Sequence, residues 1–302
     1  MLAILMPGQG SQTPGMLEPW LNEDTKNLLA KWSLHIDLDL MRLGTTASAE
    51  EIKDTANAQP LIVATGLISA HLLNIKNFSL VSGHSVGEIT AAAISEVISA
   101  TDALALVRQR GLAMAKAASQ VETGMAAVLG GNRDDVLKSL ANLDLAPAND
   151  NGAGQIVAAG SLDALDKLIE NPPTGARVRA LAVAGAFHTK YMQSAVSQVD
   201  IFAKNLAINN PKYQLISNKD GQVVKDGSEA VQRIVNQIAN PVRWDLCMDS
   251  LDQLGVTGAI ELAPAGTLVG LLKRATPSIE TFALKSPADL TTANEFVRKH
   301  GA

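Results

Sequence analysis

Several residue types are scarce in this sequence, and each shortage limits what the chain can be. There is one cysteine, Cys247, so no disulfide can form within the chain, which fits a reducing compartment such as the cytoplasm. Aromatic residues make up only 3% of the 302 residues, so the core must be built mainly from Ala, Leu, Val and Ile. We expect Cys247 to be a small buried side chain, and we predict neither a metal site nor a cofactor.

Positive charge is also in short supply. The 25 Lys and Arg residues are outnumbered by 30 Asp and Glu residues, and the absence of a basic run argues against a nucleic-acid partner. The apolar N-terminus, Met1–Met6, ends at Pro7-Gly8 without a basic segment and so does not predict a signal peptide. No uncharged apolar run approaches the length of a membrane span, so we also predict no membrane partner. The length suits one large domain, or one domain with an insert.

The first part of the chain shows short apolar runs that alternate with helical stretches. Leu2–Met6 and Phe78–Ser82 predict buried strands, and Gln59–Leu73 predicts a helix. Thr101-Asp102 is predicted to cap a further helix that runs to about Ala118. A strand, a sharp turn and a helix in this order indicate an α/β layer with a parallel sheet.

The pattern changes after Gly124, where shorter elements follow one another closely. They predict the ferredoxin-like order β-α-β-β-α-β within about sixty residues. The predicted elements are a strand at Met125–Leu129, a helix at Arg133–Leu143, strands at Leu145–Ala148 and Ile156–Ala159 joined by a turn at Asn149–Gly154, a helix at Leu162–Ile169 and a strand at Val178–Val183. We predict a small domain, residues 123–186, inserted into a large domain of residues 1–122 and 187–302. The alternative is that these elements continue the main sheet.

A Gly-x-Ser-x-Gly pattern, Gly83-His84-Ser85-Val86-Gly87, follows the second predicted strand. Such a turn is strained, exposes the serine hydroxyl and places the N–H of the next residue, Val86, beside a developing oxyanion. The five-residue pattern alone is weak, and an ordinary glycine turn is the alternative. The flanking strand and helix favour the interpretation of Ser85 as a nucleophile that carries an acyl group.

A serine nucleophile needs a base, and the chain has five histidines. His188 is a candidate because Gly185-Ala186-Phe187-His188 lies where the predicted insert rejoins the large domain. His84 adjoins Ser85, so its side chain should point away from the hydroxyl. Surface or helix-packing roles are predicted for His35, His71 and His300. No acidic third member of a triad is evident, and a backbone carbonyl or an Asn could orient the imidazole instead.

The loop after the first strand, Pro7-Gly8-Gln9-Gly10-Ser11-Gln12, is a candidate for a second oxyanion donor. The backbone N–H of Gln9 can point at the same oxygen as that of Val86. A flexible loop and a phosphate-binding turn are the alternatives. A P-loop is excluded, because the Gly-Lys-Ser/Thr ending is missing.

These motifs, taken together and in order, resemble those of the malonyl-CoA:acyl-carrier-protein transacylases of bacterial dissociated fatty-acid synthesis, especially the actinobacterial form. The resemblance covers nearly the whole chain, and several ordered motifs are far more specific than one. The residues that carry it are Pro7-Gly8-Gln9-Gly10-Ser11-Gln12, Gln59-Pro60, Gly83-His84-Ser85-Val86-Gly87-Glu88, Arg110-Gly111, Gly185-Ala186-Phe187-His188, Asn240-Pro241-Val242-Arg243-Trp244 and Pro264-Ala265-Gly266-Thr267-Leu268.

The resemblance implies a hydrolase-like large domain and a ping-pong transfer of malonyl from malonyl-CoA to the phosphopantetheine thiol of acyl carrier protein. It implies an enzyme that supplies extender units for fatty-acid synthesis, and we expect a cytoplasmic monomer. Ser85 would be the nucleophile and His188 the general base and acid. Gln9 and Val86 would form the oxyanion hole. Arg110 would hold the free malonyl carboxylate, a role that suits a planar guanidinium.

Further roles are implied by position. A backbone carbonyl in the Asn-Pro-Val-x-Trp loop, near Arg243, would orient the histidine. Phe187 would crowd an α-methyl group and disfavour methylmalonyl. Asn149 and Asn151 would line the cleft below the small domain.

The residues alone leave alternatives open. Without the resemblance, Arg110 is an ordinary helix-surface arginine and Arg108 is an equal candidate. A serine esterase or thioesterase would use the same elbow with water as acceptor, and a non-catalytic scaffold of a synthase is a third hypothesis. An acidic carrier requires a local basic patch, for which solvated surface charge is the competing interpretation. The candidates are Lys190, Arg177, Arg179, Lys273 and Arg274.

Overall fold

The computed structural model describes residues 1–301, which form eleven strands and twelve α-helices. The strands are β1 (Leu2–Met6), β2 (Leu80–Gly83), β3 (Thr123–Gly130), β4 (Ala146–Asp150), β5 (Gln155–Ser161), β6 (Ala176–Ala180), β7 (Gln214–Ile216), β8 (Val223–Val224), β9 (Val242–Arg243), β10 (Gly258–Glu261) and β11 (Glu280–Ala283). The helices are α1 (Glu23–Ile36), α2 (Leu40–Thr45), α3 (Thr55–Leu73), α4 (Gly87–Ile94), α5 (Ala100–Ala118), α6 (Arg133–Asn142), α7 (Leu162–Glu170), α8 (Gln193–Ala203), α9 (Gly227–Gln237), α10 (Trp244–Gln253), α11 (Thr267–Ala275) and α12 (Leu290–His300).

The first sheet has six strands in the order β11-β10-β1-β2-β7-β8. All neighbours are parallel except β8, which runs antiparallel to β7. The strands β1 and β2 are buried along their whole length, as their apolar sequences predict for a parallel sheet covered on both faces. Met6 is in register with Gly83, so the loops after β1 and β2 leave the sheet side by side. In open α/β sheets this carboxyl edge is where ligands bind.

Helix α3 is longer than predicted and begins at Thr55, where the Asp54 side chain caps it. Pro60 lies inside it and lacks the N–H that would bond the Ala56 carbonyl, which instead accepts from Arg108 Nη1 at 2.9 Å. The expectation that no uncharged apolar run approaches the length of a membrane span is wrong, because α3 is long and apolar enough by length and composition. However, 78% of its apolar stretch is buried inside the protein, as expected for a core helix.

The second sheet has five strands in the order β6-β3-β5-β4-β9. Its first four strands come from residues 123–180, with helices α6 and α7 packed on one face around a separate small core. This is the ferredoxin-like arrangement that the sequence predicts, and the alternative, in which these elements continue the main sheet, is wrong. The fifth strand, β9, comes from the segment assigned to the large domain and pairs in parallel with β4. The division into two domains at the stated boundaries stays a prediction.

Three predicted boundaries differ for local reasons. Helix α5 is capped by Ser99, whose hydroxyl accepts from the Asp102 N–H, and not by Thr101-Asp102. Asn149 and Asp150 belong to β4, because they pair with β9, so the predicted turn is shortened to residues 151–154. Strand β6 ends at Ala180, before the predicted end at Val183.

Candidate active site

Ser85 occupies a sharp turn between β2 and α4. Its φ is 53°, in the left-handed region that few side chains tolerate. A Cβ on Gly83 would overlap the backbone of Gly87, so only glycine fits where the chain doubles back. The Ser85 N–H donates to Asn218 Oδ1 at 2.8 Å, and this bond ties the turn to the loop after the neighbouring strand β7.

The side chains of Ser85 and His188, 103 residues apart, form a direct hydrogen bond of 2.8 Å between Oγ and Nε2. On the other side of the ring, Nδ1 lies 2.8 Å from the carbonyl oxygen of Gln237. A carbonyl can only accept, so Nδ1 carries the proton and Nε2 is left to accept from the serine hydroxyl. Burial, reinforced by the nearby Arg110 charge, lowers the pKa of His188 to about 3, so the imidazole is neutral at physiological pH.

The prediction that the carbonyl of Arg243 orients the histidine is wrong. The acceptor is Gln237, the last residue of α9, where the final carbonyls of a helix lack intrahelical partners and are free to accept. Arg243 lies on β9, its N–H donates to the Asn218 carbonyl at 2.8 Å, and its guanidinium pairs with Asp245 at 2.7 Å. The Asn-Pro-Val-x-Trp motif therefore indicates the right region of the chain but the wrong carbonyl.

Arg110 lies on α5 and is 2% exposed. Its Nη2 donates to Ser85 Oγ at 3.3 Å and its Nη1 to Gln59 Oε1 at 2.6 Å, while Nε is buried without a hydrogen-bond partner in residues 1–301. Burial lowers the pKa of Arg110 to about 10, which still leaves it charged near neutral pH. Arg108, the equal candidate by sequence, is bonded to the Ala56 carbonyl instead. The structure thus brings Arg110, and not Arg108, to the serine.

A chain of polar side chains on α3 links the loop after β1 to Arg110. Thr55 Oγ1 donates to Gln9 Oε1 at 2.7 Å and accepts from Gln59 Nε2 at 3.0 Å, and Gln59 in turn holds Arg110. The motif Gln59-Pro60 carries part of the resemblance, but the sequence alone predicts no role for it. Polar side chains on a buried, uncharged helix need partners, and that need is the signal that could have drawn attention to Gln59.

The two candidate oxyanion donors have backbone amides with no competing acceptor. The N–H groups of Gln9 and Val86 make no hydrogen bond within residues 1–301. Val86 is the residue before α4, so the positive end of the helix dipole adds to its amide. Gly8 allows the two loops to meet, because a Cβ there would lie 2.7 Å from the His84 carbonyl oxygen. Both amides are therefore free to bind an oxygen of a ligand.

The cleft above Ser85 is bounded by both sheets. One side is formed by Gln9, in the loop after β1 of the first sheet, and by Phe187 and His188, in the segment between β6 and α8; Phe187 is 6% exposed. The open face of the second sheet contributes the facing wall, which includes Asn149 and Val157. The sequence-predicted residues Gln9, Phe187 and Asn149 thus line one cavity with Ser85.

Asn151 also lines this cleft and connects the two sheets through His84. Its Oδ1 lies 2.9 Å from His84 Nε2, and the imidazole packs edge-on against Trp244. The His84 side chain therefore points away from the Ser85 hydroxyl, as expected. Burial lowers the pKa of His84, so this contact links the sheets without a charge.

Comparison with known proteins first gives the class. Residues 4–292 match the family model described as acyl transferase domain. Because this match spans most of the chain, the chain belongs to the acyl transferase family, and it is an acyltransferase.

Individual relatives give a narrower likeness. The chain is 53% identical to the malonyl CoA-acyl carrier protein transacylase of Mycobacterium tuberculosis, over 96% of this chain and 98% of the relative. It is 31% identical to the protein of the same name from Staphylococcus aureus, over 97% and 98%. The crystal structure of MCAT from Mycobacterium tuberculosis superposes with a TM-score of 0.93, at 53% identity over 97% of this chain and 99% of that one. The resemblance stated from the motifs is confirmed.

One solved complex includes a second protein. A malonyl-transacylase bound to its type II PKS acyl-carrier protein superposes with a TM-score of 0.92, at 27% identity over 97% of this chain and 99% of the other.

Proposed function

We propose that this acyltransferase moves the malonyl group of malonyl-CoA to the phosphopantetheine thiol of an acyl carrier protein, through an ester on Ser85. The observation that carries the proposal is that one hydroxyl contacts both a neutral imidazole, at 2.8 Å, and a buried guanidinium, at 3.3 Å. The imidazole activates the hydroxyl, and the guanidinium offers charge compensation to an acyl group that ends in a carboxylate. The names of the relatives support the same substrates.

In the first half-reaction, His188 Nε2 takes the Ser85 proton as Oγ attacks the thioester carbon. The carbonyl oxygen becomes an oxyanion that the free amides of Gln9 and Val86 can bind. As the intermediate collapses, the C–S bond breaks and the imidazolium returns the proton to the departing CoA thiolate. The products are the malonyl ester of Ser85 and free CoA.

The carboxylate of that ester is the proposed ligand of Arg110. Gln59 Oε1 accepts from Nη1, so the plane of the guanidinium is fixed before substrate arrives. Nε has no partner and Nη2 faces the serine oxygen, so two donors remain for a two-pronged bond to a carboxylate. An acetyl group offers no such partner and leaves the buried cation unpaired.

In the second half-reaction, the carrier thiol attacks the ester, with His188 acting first as base and then as acid to Ser85. Phe187 stands in the cleft beside His188, so an α-methyl group on the acyl chain would meet its ring. The expected discrimination against methylmalonyl is on the order of 1–3 kcal/mol, the usual effect of one methyl group in a fitted pocket.

The carrier protein is proposed to dock over the open face of the second sheet. The reaction is proposed to take place in the cytoplasm. Arg179 and Arg177 on β6 lie opposite Ala127 and Leu129 on β3, and Ala127 is in register with the cleft residue Val157. Both arginines are exposed and share the face that continues the cleft, which suits an acidic carrier.

Other basic candidates are placed differently. Lys190 already pairs with Asp144 at 3.2 Å, and Lys273 and Arg274 lie in the last turn of α11. Replacement of Arg177 and Arg179 by Glu should raise the KM for the carrier and leave the loading of Ser85 unchanged. Equal KM values in the variant and the wild type would refute this docking surface.

Mass spectrometry of the intact protein after mixing with malonyl-CoA tests the central proposal. A malonyl adduct is expected in the wild-type protein and not in Ser85→Ala. Arg110→Ala should impair loading from malonyl-CoA far more than loading from acetyl-CoA. Arg108→Ala is the matched control, because it removes a guanidinium from the same helix that does not contact Ser85. An adduct that persists in Ser85→Ala, or equal losses for the two acyl groups in Arg110→Ala, would refute the assignment.

The same assay separates transfer from hydrolysis. A serine esterase or thioesterase would release CoA at the same rate with and without carrier protein, because water would be its acceptor. We expect CoA release to rise steeply when carrier is added.

A further inference from the structure

We propose that Glu88 is a positioning residue that holds Ser85 and His188 in register by binding Asn218 and Gln237 with its two carboxylate oxygens. The proposal rests on the Ser85–His188 chemistry given above and deepens it. Glu88 lies in the first turn of α4, three residues after the nucleophile, and is 3% exposed. Neither oxygen contacts the reacting atoms, so its effect must pass through the two residues that it binds, Asn218 by its backbone N–H and Gln237 by its side chain.

One oxygen of Glu88 controls the serine turn through Asn218. Glu88 Oε1 accepts from the Asn218 N–H at 2.7 Å. The Asn218 side chain then bonds the turn at two points, accepting from the Ser85 N–H at 2.8 Å and donating to the Gly83 carbonyl at 2.7 Å. Asn218 follows β7, the neighbour of β2, so the carboxylate fixes the serine relative to the adjacent strand.

The other oxygen of Glu88 controls the histidine through Gln237. Glu88 Oε2 accepts from Gln237 Nε2 at 2.6 Å, and the carbonyl of the same Gln237 accepts from His188 Nδ1 at 2.8 Å. Gln237 ends α9 and its carbonyl also accepts from the Asn240 N–H at 3.1 Å, so the bond from its side chain to Glu88 is a second tether on this carbonyl. One carboxylate therefore sets both the position of the nucleophile and the orientation of its base.

Glu88 differs from a carboxylate that only stabilises the fold. The chain offers a comparison in Glu261, a buried carboxylate that accepts from the N–H groups of Gly266, Leu268 and Val269 at the start of α11. Those partners are the free donors of one helix end, and the bonds cap it. The partners of Glu88 instead belong to two separate segments, the loop after β7 and the end of α9, and each contacts a residue of the Ser85–His188 pair.

The ionisation of Glu88 should change its hold on these partners. Burial raises the pKa of Glu88 to about 7, against the opposing effects of its hydrogen bonds and of Arg110 on α5. Cys247 on α10 also faces this region, and burial raises the pKa of its thiol, so it stays neutral. An ionised carboxylate accepts from both donors. A neutral carboxyl carries a proton on one oxygen, which then accepts less strongly, so one of the two bonds is weakened.

The test uses Glu88→Gln and Gln237→Leu, with the rate of covalent labelling of Ser85 as the measurement. Glu88→Gln is nearly isosteric but presents an NH2 group to one of two donors, and Gln237→Leu removes the tether while keeping the backbone carbonyl. Both should slow labelling by roughly ten-fold or more, since small misplacements of reacting groups cost about this much. With malonyl-CoA, the loss should fall on kcat with KM nearly unchanged. The double variant should be no slower than the slower single variant, because both act through one chain of contacts.

An organophosphonate that reacts with activated serines serves as a second probe, because it reports on Ser85 without a malonyl group. If wild-type protein reacts with the phosphonate but forms no malonyl adduct, the proposed function fails while the role of Glu88 can still be measured. Ser95→Ala is the control for general destabilisation. It removes a buried hydroxyl that bonds the Ala91 carbonyl at the end of the same helix, far from either partner of Glu88. We expect Ser95→Ala to unfold more easily and to label at the wild-type rate.

The pH dependence of labelling gives a readout that a purely structural role would not alter. The wild-type rate should fall as pH is lowered through about 7, although His188, with its pKa of about 3, stays neutral. The slower Glu88→Gln rate should be flat over the same range. Labelling at the wild-type rate in folded Glu88→Gln, additive losses in the double variant, or parallel pH profiles would each overturn the proposal. If Glu88→Gln does not fold, folded Gln237→Leu decides: slowed labelling supports the proposal and unchanged labelling overturns it.

Discussion

Glu88→Gln should change how the free energy of unfolding depends on pH. Burial raises the pKa of Glu88 from 4.5 to about 7, so between these values the folded protein binds a proton that the unfolded chain has released. The stability contributed by this group is therefore complete below about pH 4.5 and is lost as pH rises through about 7. The glutamine variant has no such group, so its stability cannot fall for this reason.

The magnitude follows from the two pKa values. One pKa unit corresponds to about 1.4 kcal/mol, so the wild-type protein should lose about 2.5 kcal/mol relative to the variant between about pH 5 and pH 8. The pKa of His188 is lowered, so His188 contributes with the opposite sign: its stability is present above about pH 6.5 and is lost as pH falls towards 3. That contribution is common to both proteins and cancels in the difference between them.

Urea unfolding at several pH values measures this difference, with fluorescence of the three tryptophans, Trp20, Trp32 and Trp244, as the signal. The lost hydrogen bond changes the free energy of unfolding of the variant by an amount that does not depend on pH. The informative quantity is therefore how the difference in free energy of unfolding between the two proteins changes with pH, and not the size of that difference. Ser95→Ala should run parallel to the wild-type protein. Parallel curves for Glu88→Gln would mean that Glu88 titrates normally, and would refute the reasoning from burial.

Two further predictions concern steric fit. Gly83→Ala places a methyl group against the backbone of Gly87, so this variant should lose several kcal/mol of stability, or fail to fold, in the same urea assay, whereas an equally stable variant would contradict the tight turn. Phe187→Ala opens the cleft beside His188, so methylmalonyl loading of Ser85 should rise by roughly ten-fold or more relative to malonyl loading in competition assays followed by mass spectrometry. An unchanged ratio would show that the ring does not set the choice.

The local parts of the site could be predicted from sequence because their residues are neighbours in the chain. One short motif contains Gly83, Ser85 and Val86. Its glycines are the residues that a tight strand-to-helix turn requires for steric reasons. The βαββαβ order after Gly124 could be predicted for a related reason, since each element has its own apolar periodicity and turn residues.

The features that could not be predicted from the sequence depend on contacts that leave no local pattern. The Gln237 carbonyl belongs to the backbone, which every residue has, so only the end of α9 and its distance from His188 distinguish it. Strand β9 is two residues long, too short to show periodicity, and forms because it pairs in parallel with β4. Arg110 and Arg108 differ only by their rotation about α5, and the sequence alone left that choice open.

Both residues of the Ser85–His188 pair have left-handed backbones, with φ values of 53° and 62°. Such conformations cost of order 1–3 kcal/mol each and persist only where the surrounding contacts determine them. At Ser85 the backbone N–H donates to Asn218. At His188 the backbone N–H donates to the Ile238 carbonyl at 3.2 Å, and the ring bonds the carbonyl of the preceding residue, Gln237. Asn218 and Gln237 both donate to Glu88, a buried carboxylate whose own burial is unfavourable unless it is fully hydrogen-bonded. The strain at the reacting atoms and the cost of the buried charge are thus offset by the same set of hydrogen bonds, so loss of one bond should be felt at both residues.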